Sequence, residues 1–414
     1  MGLPQISIEF FKRAIQSIAV GAGGVVGIIL SDTANVGVLV LKDVTDVPSD
    51  FTAANKGYVE RAFLGAPKKV VVYTMGSTTT YSYSEATPEA GSNPKSLGLY
   101  ELVDGEYVAT DDTSIEEGKQ YYTRTANTVT TTLTDALKYF KNNPVNYLAG
   151  TPDISSTDAT TISTWAKGLR ANTKNRTVAV LPKTVGDSPS VINFSVVNST
   201  ATDCIHVGDI NYSEAEYCSR IAGLLAGLAL TVSSTYKPLA EVTAIPEVSG
   251  DSEVDTAIDA GKLTLYNNGD GIVIARGVNS LTTITQDVTE DLKKIKIVAI
   301  QDLIETDIYS TINKSYIGNY NNSYDNKCLL ITAIQGYLKK LDTGDGGAGY
   351  INEDHTVTID VAAQKTYLEG IGVDTEGMSE QEIKEANTGS WVFLYATVGI
   401  LDAIEDVRLR IKKN

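Results

Sequence analysis

Residues able to do chemistry are few and poorly spaced in this chain. It has two histidines, His206 and His355, and neither lies in an H-E-x-x-H or C-x-x-C-H pattern. The imidazole pairs that zinc chemistry needs at fixed helical spacing are therefore missing. Gly250-Asp251-Ser252 shares part of a serine-protease signature, but Glu253 and Val254 stand where glycines would follow, and no G-x-S-x-G elbow occurs. Gly344-Asp345-Gly346-Gly347-Ala348-Gly349 satisfies G-x-G-x-x-G, yet it follows a predicted helix rather than a strand and puts a carboxylate where a pyrophosphate would lie. It reads as a turn. The earlier run Gly21-Ala22-Gly23-Gly24-Val25-Val26-Gly27 has Val26 in place of the third glycine. The sequence thus predicts no catalytic, cofactor-binding or metal-ligating residues, and no cofactor.

Composition narrows the classes further. A chain of 414 residues with 42% hydrophobic and 21% charged content is long enough for two or three domains with their own cores. Its 34 basic residues against 51 acidic ones give a net charge of −17, which disfavours broad contact with nucleic acid or an anionic membrane. Cys204, Cys218 and Cys328 are odd in number and form no C-x-x-C, as expected of reduced thiols in a cytoplasmic product. The apolar stretch from Ile18 to Leu30 follows Lys12 and Arg13 in the manner of a signal peptide. It is too short to span a bilayer and is interrupted by four glycines. Val25–Leu30 is read instead as a buried strand.

The elements that follow alternate. Val25–Leu30, Val36–Leu41 and Lys69–Tyr73 read as strands, with a helix over Phe51–Leu64 carrying apolar Phe51, Ala54, Val59, Ala62 and Phe63. From Ser77 to Thr130 the pattern breaks into a Thr-, Ser- and Tyr-rich stretch with nine acidic and three basic residues and six of the 22 tyrosines. Within it, Tyr100–Val103 and Glu106–Ala109 flank Asp104-Gly105, a pair suited to a type I′ hairpin turn. A small β module decorating a surface loop is predicted. Helices near Leu133–Phe140 and Asp158–Ala171 then alternate with strands at Val145–Leu148 and Thr177–Leu181, so one α/β domain resumes after an insertion. Ser213-Glu214-Ala215-Glu216 is a capping box that starts a core helix bearing Tyr217, Ile221, Leu224, Leu225 and Leu228, with Gly223 and Gly227 admitting a close neighbour.

Both ends of the chain carry period-two alternation. Ile6, Ile8 and Phe10 alternate with Gln5, Ser7 and Glu9, while Val407, Leu409 and Ile411 alternate with Arg408, Arg410 and Lys412. Each reads as a half-buried strand, which needs a sheet edge. Either the chain's own sheet supplies that edge or another copy does, and in the second case the protein is a polymer subunit.

The second half of the chain carries a family resemblance. Gly261-Lys262-Leu263-Thr264-Leu265-Tyr266 and the run from Gly271 through Arg276 to Thr283 resemble the strand-and-arginine segment of contractile tail sheath proteins. A long helix containing Ile300–Ile304 and running to Tyr320, a second helix from Asp325 to Leu341, the opening Gly27–Asp32 and a closing β segment from Trp391 to Lys413 follow in that family's order. The similarity covers most of the chain outside the insert and is greatest to sheaths of Gram-positive phages and phage-derived bacteriocins. The insert, ending in a Gly-Lys-x-Tyr-Tyr stretch at Gly118–Tyr122, resembles Tyr-rich inserts of Gram-positive phage structural proteins.

What the resemblance implies is concrete. The fold class is α/β (α+β mixed), a two-domain sheath subunit with a small β-rich insert and extended terminal β-strand arms. The divisions expected are 1–20 as N-terminal arm, 21–76 with 131–250 as outer domain, 77–130 as insert, 251–390 as inner tube-facing domain and 391–414 as C-terminal arm. The arms, through Ile6, Ile8, Phe10, Val407, Leu409 and Ile411, would join neighbouring subunits. Lys327, Lys339 and Lys340 outnumber Asp325 in the second helix. They are expected either to face the tube or simply to favour the negative end of that helix. Implied partners are other copies in a helical polymer, an inner tail tube protein, and baseplate and tail terminator proteins, without nucleic acid or direct membrane insertion. Assembly would take place in the bacterial host cytoplasm, ending in a virion tail or a released bacteriocin particle. The alternatives are an α/β enzyme with an unrecognised active site and a static self-assembling shell.

Overall fold

The computed structural model describes residues 24–412. The predicted N-terminal arm strand with Ile6, Ile8 and Phe10 lies outside the described residues. The first strands are β1 (Val25–Ser31), β2 (Gly37–Leu41) and β3 (Lys69–Met75), with helix α1 (Ala53–Phe63) before β3. β1 and β3 pair in parallel, Val25 opposite Lys69, and β2 lies antiparallel on the outer side of β3.

At Gly76 the chain leaves this domain for the insert. There β4 (Ser77–Ala86) and β7 (Tyr121–Thr130) form a ten-residue antiparallel ribbon, and β5 (Tyr100–Val103) and β6 (Glu106–Ala109) form the expected hairpin. Asp104 at φ +51° and Gly105 at φ +87° are the two positive-φ positions that a type I′ turn requires. An isolated sheet has no second layer to bury against, so side chains on one face cover each other. Tyr83 stacks on Tyr107 at 4.0 Å, and the Arg124 guanidinium sits 4.4 Å from the Tyr81 ring centre and 4.7 Å from that of Tyr100.

After the insert come α2 (Leu133–Asn142), β8 (Tyr147–Ala149), α3 (Ser156–Asn172), β9 (Val178–Pro182) and β10 (Val191–Phe194). A hairpin of β11 (Ile205–Val207) and β12 (Ile210–Tyr212) leads to α4 (Glu214–Gly227). Then follow α5 (Asp251–Asp259), the short β13 (Lys262–Leu263), and an antiparallel pair of β14 (Leu265–Asn267) and β15 (Ile272–Ile274). The main sheet has seven strands in the order β13-β10-β9-β8-β1-β3-β2, parallel except for β2.

This sheet is the middle of three layers. Val26, Ile28, Leu30, Val70 and Val72 face a core with α1 and α4, while Ile29, Val71, Tyr73 and Leu148 face one with α2 and α3. Burial on both faces is why the strands read as continuous apolar runs. α4 packs on α1 almost backbone to backbone. A Cβ on Gly223 would lie 2.0 Å from the Ala62 carbonyl oxygen, and one on Gly227 would lie 1.7 Å from that of Gly65. Ser213 caps the helix as predicted, its hydroxyl accepting from Glu216 N–H while the Glu216 carboxylate accepts from Ser213 N–H.

The remainder forms a third core. α6 (Ile295–Thr311) ends in a π turn over Ile312–Tyr316, and α7 (Tyr324–Leu341) follows. Beyond these lie β16 (Thr356–Ile359), α8 (Val361–Gly370), α9 (Glu380–Glu385) and β17 (Leu394–Thr397), with β16 and β17 antiparallel. Ile300, Leu330, Ile334, Tyr337, Leu338, Ile351 and Val357 pack together here. Two sequence expectations need correction. The long helix does not reach Tyr320, because the π turn is followed by Gly318 at φ +75°. Nor does a second unit start at 251: Leu263, Leu265, Ile272 and Ile274 are buried in the first core, and β13 is an edge strand of the main sheet. The change of core falls inside α6, between Ile295 and Ile300.

The insert's ends lie side by side, with Thr131 N–H donating to the Gly76 carbonyl at 2.9 Å. Its buried Leu99 and Tyr121 belong to none of the three cores. Deleting residues 77–130 and joining Gly76 to Thr131 is expected to leave the unfolding midpoint of the rest within about 3 °C of the parent, read by calorimetry. A larger fall would mean that the module supports the main sheet.

Candidate assembly surfaces

The C-terminal segment leaves the third core and crosses to the first domain. After β17, Leu401 N–H donates to the Tyr350 carbonyl at 2.9 Å, and three carboxylates then tie the chain down. Asp402 pairs with Lys294, and Asp406 with Arg276. Glu405 lies between them with its side chain only 5% exposed. One of its oxygens accepts from Ser233 Oγ at 2.7 Å and Thr235 Oγ1 at 2.6 Å. The other has Arg276 Nε at 3.3 Å and Lys294 Nζ at 3.4 Å as counter-ions. Burial works against the positive charge on Arg276 and Lys294, but the neighbouring carboxylates outweigh it and hold both pKa values above their ordinary positions. The result is an ionic clasp on the rim of the first domain.

Beyond the clasp the chain runs exposed. Val407, Leu409 and Ile411 are 80%, 77% and 83% exposed, and residues 402–412 form no backbone ladder with the described residues. The half-burial and pairing expected of this arm are therefore absent among the described residues. The closing β segment expected over Trp391–Lys413 contracts, among the described residues, to β17. Among the described residues no sheet covers these alternating apolar side chains.

Among the sheet edges that could take a further strand, two lie close to exposed apolar side chains. β2 ends the main sheet, with Val38 and Val40 exposed, and β16 and β17 form a sheet of only two strands, so each has one unpaired side among the described strands. Trp391 and Tyr395 are exposed on the β17 side.

The three lysines of α7 separate. Lys327 is 2% exposed, its ammonium within hydrogen-bonding distance of Gln364 Oε1 at 3.4 Å and Thr388 Oγ1 at 3.2 Å, so it is not a surface contact of the subunit. Its burial pushes the pKa down. Lys339 and Lys340 are exposed at the C-terminal end, and Lys339 pairs with Asp342 at 3.0 Å. The exposed stripe of the helix runs Asp325, Thr332, Gly336 and Lys339/Lys340, and small residues at its centre leave room for a neighbour. Cys204, Cys218 and Cys328 are free thiols. Among the described residues no group of three or more His, Cys, Asp and Glu is placed to hold a metal, and no helix is long and apolar enough to cross a membrane.

Residues 287–412 match the phage tail sheath C-terminal domain family. Over 99% of its length the chain is 32% identical to the tail sheath protein of Clostridium phage phiCD119, of which it covers 99%. The chain belongs to the tail sheath protein family. Its function is structural, as a subunit of a tail sheath, which weighs against the enzyme alternative. The fold agrees. The sheath tail protein of Desulfitobacterium hafniense superposes with a TM-score of 0.59 at 18% identity over 86% of this chain and 94% of the other. The PVC sheath complex of an extracellular contractile injection system, solved in its contracted state, gives 0.58 at 11% identity over 100% and 98%.

The clasp was not legible beforehand. Arg276 lies in the segment resembling the family, whereas Asp402, Glu405 and Asp406 belong to no motif; their clustering just before an acid-free alternation is the signal the sequence offers. Replacing Glu405 by alanine takes the acceptor from the Ser233 and Thr235 hydroxyls and leaves Arg276 and Lys294 with one carboxylate each, at a cost of about 1–3 kcal/mol to the local closed state. Exchange of the Leu401 amide, which donates to the Tyr350 carbonyl, should then rise by about tenfold or more while the core of the main sheet is unchanged. Equal protection in parent and variant would show that the clasp does not hold the segment.

Proposed function

We propose that subunits of this chain polymerise helically around an inner tail tube and that contraction of the polymer drives the tube through a target cell envelope. The exposed stripe of Val407, Leu409 and Ile411, held by its root at Glu405, carries this reading. In an assembled sheath that stripe and the N-terminal stripe of Ile6, Ile8 and Phe10 add as strands to open edges on neighbouring subunits, with the β16/β17 pair as the natural acceptor. A helical polymer can shorten without dissolving only if compact bodies turn and slide while remaining linked, and extended strand-exchanging arms supply such links. No nucleotide is consumed. The free energy is stored in the extended state, with the baseplate as its trigger.

In this arrangement the unit built from α6 onward lies inside against the tube, the three-layer domain outside, and the insert projects outward. Lys339 and Lys340, at the exposed end of α7, face the tube protein. Baseplate and terminator proteins close the two ends, and the particle is completed in the host cytoplasm as a virion tail or a headless bacteriocin.

Proline at Leu409 removes an N–H from any ladder formed there and is expected to abolish tubes in negative-stain micrographs while leaving the monomer's unfolding midpoint within about 3 °C. Deleting residues 1–12 should act in the same way from the other end. A marked fall in monomer stability in either variant would mean that the strand is docked on its own subunit.

Reversing both charges in K339E/K340E is expected to weaken co-assembly with tube protein by about tenfold at low salt, with a smaller difference at high ionic strength. Sheath-only tubes should form as before. Equal tube recovery by parent and variant across a salt series would remove these lysines from the tube face.

A further inference from the structure

Helices α2 and α3 lie side by side on one face of the main sheet, and an open groove of about 650 Å³ runs between them. Leu137 and the half-buried Trp165 ring form its floor and pack on the core beneath. Lys138 and Lys141, both exposed and three residues apart on α2, stand on one lip, facing the threonines of α3 on the other. Among the described residues the lining contains no acid, and neither lysine forms an ion pair. Asp135, three residues before Lys138, already has its carboxylate bound by Thr132. In a chain of net charge −17 such a surface is a local exception.

The complementary surface is on α5. Val254 and Ala257 turn inward, while Asp251, Asp255 and Asp259 recur at every fourth position on the exposed side. Like charges at that spacing repel along a helix. Asp259 also closes α5 at the end where the helix dipole is already negative, and the last turn holds no basic residue. Asp251 accepts from the Tyr266 hydroxyl at 3.0 Å, whereas the carboxylates of Asp255 and Asp259 have no hydrogen bond or ion pair among the described residues. Local helix physics disfavours this stripe, and cations brought from elsewhere would relieve it. Ser252, Thr256 and Ala260 lie beside it, exposed and small enough to admit an indole ring.

We propose that α5 of one subunit docks in the α2/α3 groove of a second copy, with Asp255 and Asp259 meeting Lys138 and Lys141 and the Trp165 ring against the small residues beside the stripe. Within one chain the two surfaces are kept apart. α5 leads directly into β13 at the edge of the main sheet, whereas α2 packs on β1 and β3, and β1 is four strands from β13, about 19 Å at the usual strand spacing. Because the two surfaces differ, each subunit gives one and takes one, and such a contact propagates along a polymer instead of closing in a two-fold pair. The inference rests on the sheath-polymer reading and adds to it a contact between compact bodies. Exposed ion pairs are individually weak and screened by salt, which suits a contact that must release when subunits slide.

The test begins with the parent. Tubes mixed from labelled and unlabelled subunits and treated with a zero-length carbodiimide should yield amides between Lys138 or Lys141 and Asp255 or Asp259 that join a labelled chain to an unlabelled one. K138E/K141E and D255K/D259K should each raise the concentration needed for tube formation by about tenfold at low salt, with the unfolding midpoint of the monomer kept. The combined variant K138E/K141E/D255K/D259K restores complementarity with the signs exchanged and should return to within about threefold of the parent. Tubes from both double variants at the parent's concentration would overturn the contact, as would a combined variant no better than either. Amides found only within one chain would do the same. A parent that forms no tubes would sink the polymer reading and this contact with it, whereas parent tubes indifferent to the charge reversals count against the contact alone.

Discussion

An extended segment with apolar side chains on alternate positions cannot be at rest in water without a ladder beside it. Residues 407–412 carry that alternation, exposed and without a ladder among the described residues, and the organisation of the subunit turns on it. Covering Val407, Leu409 and Ile411 is worth about 1.5–3 kcal/mol each when burial is complete. Ordering six residues of backbone costs roughly 1–2 kcal/mol per residue, so the two contributions nearly cancel and ladder hydrogen bonds decide the sign. One added strand is therefore a weak link. Repeated along a polymer, such links hold because breaking one leaves its neighbours in place, and each can shift without the whole structure coming apart.

That balance depends on where the arm is rooted. A tail loose from Thr397 onward would carry far more chain entropy than one pinned at Glu405, whose carboxylate is held by two hydroxyls and flanked by two cations. The clasp also chooses what the arm pulls on. β17 belongs with the third core, whereas Arg276, Ser233 and Thr235 extend from the first domain, so the arm's root bridges both. α6 does the same in the interior, with Ile295 in one core and Ile300 in another, and Arg170 on α3 grips Asp302 on α6. Load on the arm enters a subunit whose two bodies are joined by a helix and a bidentate ion pair rather than by a loose linker.

Local patterns in the chain foretold what local physics decides. Val25–Ser31 and Lys69–Met75 read as strands because both faces are buried, and Asp104-Gly105 read as a turn because both residues must adopt positive φ. The capping box at Ser213 and the glycine face of α4 were visible for the same reason. What escaped depends on distant partners. Lys327 looked like a surface cation, yet its ammonium meets Gln364 and Thr388, 37 and 61 residues away. The clasp joins residues more than a hundred positions apart. The junction between the first and third cores is likewise set at a distance: β13, only two residues long, shows no periodicity, although it completes the edge of the main sheet.

Charge completes the account of why such an arm suits a crowded polymer. The chain carries a net charge of −17, so subunits brought side by side repel one another through any surface that shares the average. The arm departs from that average: Val407 to Lys412 contains Arg408, Arg410 and Lys412 and no acid. Alternation places these cations on the opposite side of a strand from Val407, Leu409 and Ile411, so a single added strand offers one face to an apolar surface and the other to an acidic one. If the segment adds to a neighbouring subunit, as proposed, its charge favours the move. Because those cations are exposed, their contribution is screened within about 8 Å at physiological salt, and it acts on a neighbour only once the strand has already arrived.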